Sequence, residues 1–150
     1  MVTPDFGLGV IVLQLHTFIS LIMAVLICGM AMWRGDQAAR WAGAVCLAGW
    51  LGSILVYQGN RYNADYGVLA VDIASLFGFV WISVKMRRIW TVILSAFMAL
   101  IVASHVAVMI DLRVTIGTMA AGMAMWSYGV LACVAFGTWA GWRDGRRGHA

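Results

Sequence analysis

Glutamate is absent, lysine and proline each occur once (Lys85 and Pro4), and charged residues make up only 11% of the 150-residue chain. A soluble domain carries about 25% charged and about 45–50% apolar residues. Here hydrophobic residues reach 63% and mean hydropathy is +0.91. A fold of this size cannot hide that much apolar surface from water, so the composition calls for a bilayer. With no glutamate, phosphate-binding glycine loop, nucleophile elbow or HExxH run, hydrolysis and phosphoryl transfer have no visible machinery. The chain therefore reads as non-enzymatic. Cysteine is scarce too. Cys28, Cys46 and Cys133 each lie inside an apolar run without CxxC spacing, which argues against a disulfide framework or a zinc site. They read as buried thiols acting as small apolar groups. The net charge of +4 does not mark a nucleic-acid surface, because the basic residues sit at the ends of apolar runs and form no patch.

What is present is a series of long apolar stretches. Crossing a hydrocarbon core of about 30 Å takes about 20 apolar residues in a helix. Five segments qualify, at about 8–33, 41–57, 67–84, 89–110 and 114–142. The fold class is therefore all-α, a polytopic membrane bundle of five transmembrane helices in one domain. The second segment is the shortest. The first is too long for the hydrophobic region of a cleaved signal peptide and lacks a basic leader, so it is expected to be retained.

Charge supplies the orientation. In a five-span topology Arg34, Arg40, Lys85, Arg87, Arg88, Arg143, Arg146 and Arg147 fall on one side, and only Arg61 and Arg113 on the other. Positive residues favour the cytoplasmic face, which predicts the N-terminus outside and the C-terminus inside. A bacterial cytoplasmic (inner) membrane fits this pattern. Trp33, Trp41, Trp90, Trp139, Trp142, Tyr57, Tyr62 and Tyr66 lie near segment ends, as an interfacial aromatic belt requires. The connection at 58–66 is rich in Asn, Gly and Tyr. It reads as a capped helix connection, with Asn63 or Asp65 capping the third helix, and less readily as a recognition surface.

Small residues recur every four positions. The fifth segment carries Gly117, Ala121, Met125, Gly129, Cys133, Gly137 and Gly141, the second Ala44, Ala48 and Gly52, and the fourth Ala99, Ala103 and Ala107. In lipid, helix association depends on close van der Waals packing, and such stripes permit it. They serve either internal packing or, on the fifth helix, a homo- or hetero-oligomer seam.

Ionisable residues within spans mark function by default. Only His16, Asp72 and His105 qualify. At about 1.5 Å per residue, they lie about 12, 8 and 8 Å from the outer boundary, a shared depth in the outer third of the bilayer. His105 lies about 200° around its helix from Ala103, away from the alanine stripe. If that stripe packs inward, His105 faces a partner or the headgroups. Three chemistries fit. His16 and His105 are positioned as axial ligands for a b-type haem. The three together are a proton or ion site suited to proton-coupled transport, although no span contains the proline of a broken transporter helix. Alternatively, the groups pair with each other or with neighbouring carbonyls and hold the bundle together. The leading expectation is a small non-enzymatic subunit of a membrane complex or a homo-oligomer.

Overall fold

The computed structural model describes the backbone of residues 5–56, 66–110 and 116–147, and the side chains of residues 18–56, 66–110 and 122–144. Five helices follow one another: α1 (Asp5–Arg34), α2 (Gln37–Val56), α3 (Tyr66–Met86), α4 (Ile89–Ile110) and α5 (Ile116–Arg147). Among the described residues there is no strand. Four segments are long and apolar enough to cross a membrane: Gln37–Val56, Tyr66–Met86, Ile89–Ile110 and Gly122–Asp144. The described part of α1, Phe18–Arg34, is a shorter apolar helix. Consecutive helices pack side by side, α5 returns to α1, and α2 also touches α5 across the middle. The result is a closed ring of helices.

Local chemistry sets the turns at one end. Gly35 and Asp36 join α1 to α2, and the Asp36 Oδ1 accepts a 2.9 Å hydrogen bond from the Ala39 amide. This carboxylate N-cap satisfies a free helix donor, so α2 starts at Gln37 and takes in the polar Gln37–Arg40 stretch. A side chain at Gly35 would collide with the Ala31 carbonyl oxygen and with Ala39. Arg87 and Arg88 join α3 to α4. The Arg87 amide donates to the Ser83 carbonyl at 3.0 Å, and Arg87 adopts a φ of 50°, a conformation usually taken by glycine after a helix. Thr91 then donates through Oγ1 to the Arg88 carbonyl at 2.6 Å.

The outward surface of the bundle is strongly apolar, which is compatible with an integral membrane protein. Phe18, Leu26, Leu55, Phe77, Val84 and Ile89 point outward, a surface too apolar for a monomer in water. The α1–α2 contact is made by small groups: Ala24, Cys28 and Ala31 face Ala39, Ala42, Gly43 and Cys46, all buried. A Cβ at Gly43 would sit 3.1 Å from both the Ala31 Cβ and the Cys28 carbonyl oxygen. On the other side of the ring Phe79, Ile82, Leu94 and Val134 are fully buried. Buried hydroxyls bond back to their own helices. Ser75 donates to the Val71 carbonyl at 2.9 Å and Thr138 to the Val134 carbonyl at 2.7 Å, the usual way such groups are satisfied in a helix.

The small-residue stripes divide by role. On α5, a Cβ at Gly129 would lie 2.8 Å from the Phe97 ring, one at Gly137 2.6 Å from the Trp90 ring, and one at Gly141 3.0 Å from Asp36. These three glycines face other parts of the same chain. On α2, Gly52 meets Val71, with 3.2 Å from its would-be Cβ, whereas Ala48 is exposed and Ala44 half-buried. On α4, Ala99, Ala103 and Ala107 are all exposed. The surroundings of Gly117 and Ala121 lie outside the described residues, as do Arg61, Arg113 and the 57–65 connection.

Candidate functional site

The exposed alanines turn α4 so that His105 points inward. It is buried, 8% exposed, and its Nε2 lies 3.0 Å from Oδ2 of Asp72 on α3. The conditional expectation that His105 faces a partner or the headgroups fails, because its premise fails: the alanine stripe lies outside, and the opposite face carrying Leu94, Met98, Ile101 and His105 fills the bundle. The two side chains are only 9% and 14% exposed. Antiparallel packing of α3 and α4 brings them together. Asp72 lies six residues into α3 and His105 five residues before the end of α4, depths of about 9 and 8 Å at the helical rise.

Neighbouring residues close the site on one side. Ser75, one turn below Asp72, is buried, and its Oγ would lie 2.7 Å from a Cβ at Gly49 on α2. Gly49 and Gly52 thus let α2 approach the turn of α3 that carries Asp72. A carboxylate and an imidazole at hydrogen-bond distance can share a proton between them. A charge there without its partner would be costly in low dielectric.

Of the three residues read as a set, Asp72 and His105 meet. His16 lies on α1, and its side chain is outside the described residues. Nε2 of His105 is engaged by Asp72, so an axial role for His105 toward haem would fall to Nδ1, with the carboxylate holding the far side of the ring. Cys28 and Cys46 lie on the facing small-residue surfaces of α1 and α2, both free and buried. A cavity of about 120 Å³ lies between α1, α2 and α5, lined in part by Ser20, Trp50, Ser127 and Tyr128.

A second polar cluster, at the opposite end, did not emerge from sequence reasoning. Arg88 Nη2 lies 3.6 Å from Asp36 Oδ2, and its Nη1 lies 3.8 Å from Asp144 Oδ2. One guanidinium thus links the α1–α2 turn, the α3–α4 turn and the end of α5. Around it Arg34 stacks over Trp33, Lys85 over Trp81 and Arg143 over Trp139, with 5.2, 4.6 and 4.6 Å to the ring centroids. The sequence signal was available in Asp36 and Asp144, the two acidic residues set among the basic ones, but their joining through Arg88 depends on how the turns converge. The result is a positively charged, tryptophan-backed end.

No family model, curated protein or solved structure matches the chain. The functional reading therefore rests on this geometry.

Proposed function

We propose that this chain is a small, non-enzymatic, multi-pass membrane protein that acts as a subunit of a homo- or hetero-oligomeric membrane assembly. Five apolar helices with four of spanning length and composition are compatible with an integral membrane protein. The observation that carries the assembly reading is the outward face of α4, where Ala96, Ala99, Ala103 and Ala107 are exposed together. The α5 glycines are occupied by Phe97, Trp90 and Asp36 of the same chain. Among the described residues the alanine face has no such neighbour, and small residues at this spacing let a second helix approach closely in lipid. The charge pattern supports an N-terminus outside, a C-terminus inside and a bacterial cytoplasmic membrane. Light scattering in mild detergent tests the assembly. The native chain is expected to run as a particle of at least two 16.3 kDa copies, and Ala103→Leu with Ala107→Leu as a single copy. A native particle of one copy overturns the proposal.

The 3.0 Å Asp72–His105 pair favours a second reading, in which that pair is a proton site for coupled transport. Asp72→Asn should then abolish pH-dependent flux in liposomes, and unchanged flux ends this reading.

A further inference from the structure

The outer seam between α4 and α5 opens into a groove of about 780 Å³. Its walls include Trp90, Phe97 and Phe136, and Gly129 and Cys133 contribute to its floor. It begins at Arg87 and Arg88 and extends along α4 from Ile89 to Phe97, about 12 Å at the helical rise. One leaflet of a bilayer core is about 15 Å deep. The groove thus runs from the charged end of the bundle to roughly the depth at which an acyl chain ends, and it is apolar throughout except at its mouth.

Among the described basic residues at this end, Arg87 stands apart. At this end Arg34, Lys85 and Arg143 lie over tryptophan rings, Arg40 donates through Nε to the Gly35 carbonyl, and Arg88 bridges two aspartates. Arg87 is exposed and, among the described residues, makes no ion pair or cation–π contact. Its φ of 50° places a long cationic side chain where glycine is the ordinary choice. A free guanidinium is a strong binder of phosphate oxygens.

We propose that this groove binds an anionic phospholipid from the leaflet at the basic end, with Arg87 on the phosphate-bearing headgroup and one acyl chain along Ile93, Phe97 and Gly129. Charge complementarity at the mouth and a groove one leaflet long select this occupant. The inference depends on the membrane-spanning reading, which is tested separately by whether alkaline carbonate leaves the chain in the membrane pellet.

Native mass spectrometry of the full chain in mild detergent is the test, with palmitoyl-oleoyl phosphatidylglycerol and phosphatidylcholine as probes. Retained adducts of phosphatidylglycerol should exceed those of phosphatidylcholine at equal concentration. Arg87→Gln should reduce that preference by about fivefold, the weight of one basic residue at an anionic surface. Ala132→Phe, which fills the groove from an exposed position, should weaken both lipids. If Ala132→Phe does not yield a folded particle, the exposed Arg87→Gln variant decides alone. Equal retention of the two lipids, an unchanged preference in Arg87→Gln, or a second copy of the chain in the groove overturns the proposal.

Discussion

Removing both members of the Asp72–His105 pair should cost less than the sum of the two single removals, and the size of the shortfall reports the state of the pair. At 3.0 Å and an effective dielectric constant of about 20, full ionisation of both groups gives an attraction of about 5–6 kcal/mol before desolvation. Both side chains are at least 86% buried, so solvent screens this little. Deleting one partner of a buried ion pair costs about 3–5 kcal/mol, because the remaining charge has no compensation. A neutral hydrogen bond between membrane helices behaves differently, with a mean coupling of about 0.6 and a maximum of about 1.7 kcal/mol. The experiment is a double-mutant cycle of Asp72→Ala, His105→Ala and the pair, unfolded by adding sodium dodecyl sulfate to mild-detergent micelles. Trp90, buried, and Trp50 and Trp126, packed against the core, report through fluorescence. A coupling above about 2 kcal/mol indicates an ionised pair, and a value between about 0.6 and 1.7 a neutral one. A coupling below about 0.5 kcal/mol, within ordinary additivity, would falsify the claim that these residues act as a unit.

Two further predictions follow from the packing and the turns. Gly137→Ala should destabilise the same transition by about 1–3 kcal/mol through overpacking, since the new Cβ would fall 2.6–2.8 Å from three Trp90 ring atoms. Gly29→Ala, with nothing within 4 Å of its Cβ, should instead stabilise by up to about 1 kcal/mol from helix propensity, and equal shifts for the two variants would refute the close α4–α5 approach. Asp36→Ala should cost about 1–2 kcal/mol, about 1 from the lost α2 cap and the remainder, at most about 1, from the solvent-screened Arg88 contact. Asp36→Asn should recover most of that loss, and an equally destabilised Asn variant would show that the charge, not the cap, matters most.

The helical architecture was legible because length and composition act without tertiary context. The boundaries of α4 were read as 89–110 and the helix spans Ile89–Ile110, since basic residues before it and Asp111 after it interrupt an unbroken apolar run. The start of α2 was less legible. Gln37–Arg40 looks like loop by polarity, but the Asp36 cap recruits it into the helix. For the site, residue type and depth singled out Asp72 and His105, because an ionisable group in an apolar run stands out at any rotation of its helix. Their meeting was one of the alternatives that the shared depth offered, but the helix rotation that decides it was not legible. The alanine stripe of α4 was an equally good candidate for either face.

Apolar content, span length and the segregation of basic residues toward one end are properties of the one-dimensional chain, and they alone determined that this protein is a bundle of membrane-type helices with a charged end. Rotation of each helix about its axis belongs to the tertiary structure. In water an amphipathic pattern would reveal it, but in lipid both faces of a helix are apolar and the pattern fades. Only packing against neighbours, with Trp90 seated on Gly137 and Leu94 in the centre, decided that His105 turns toward Asp72 while Ala103 faces out.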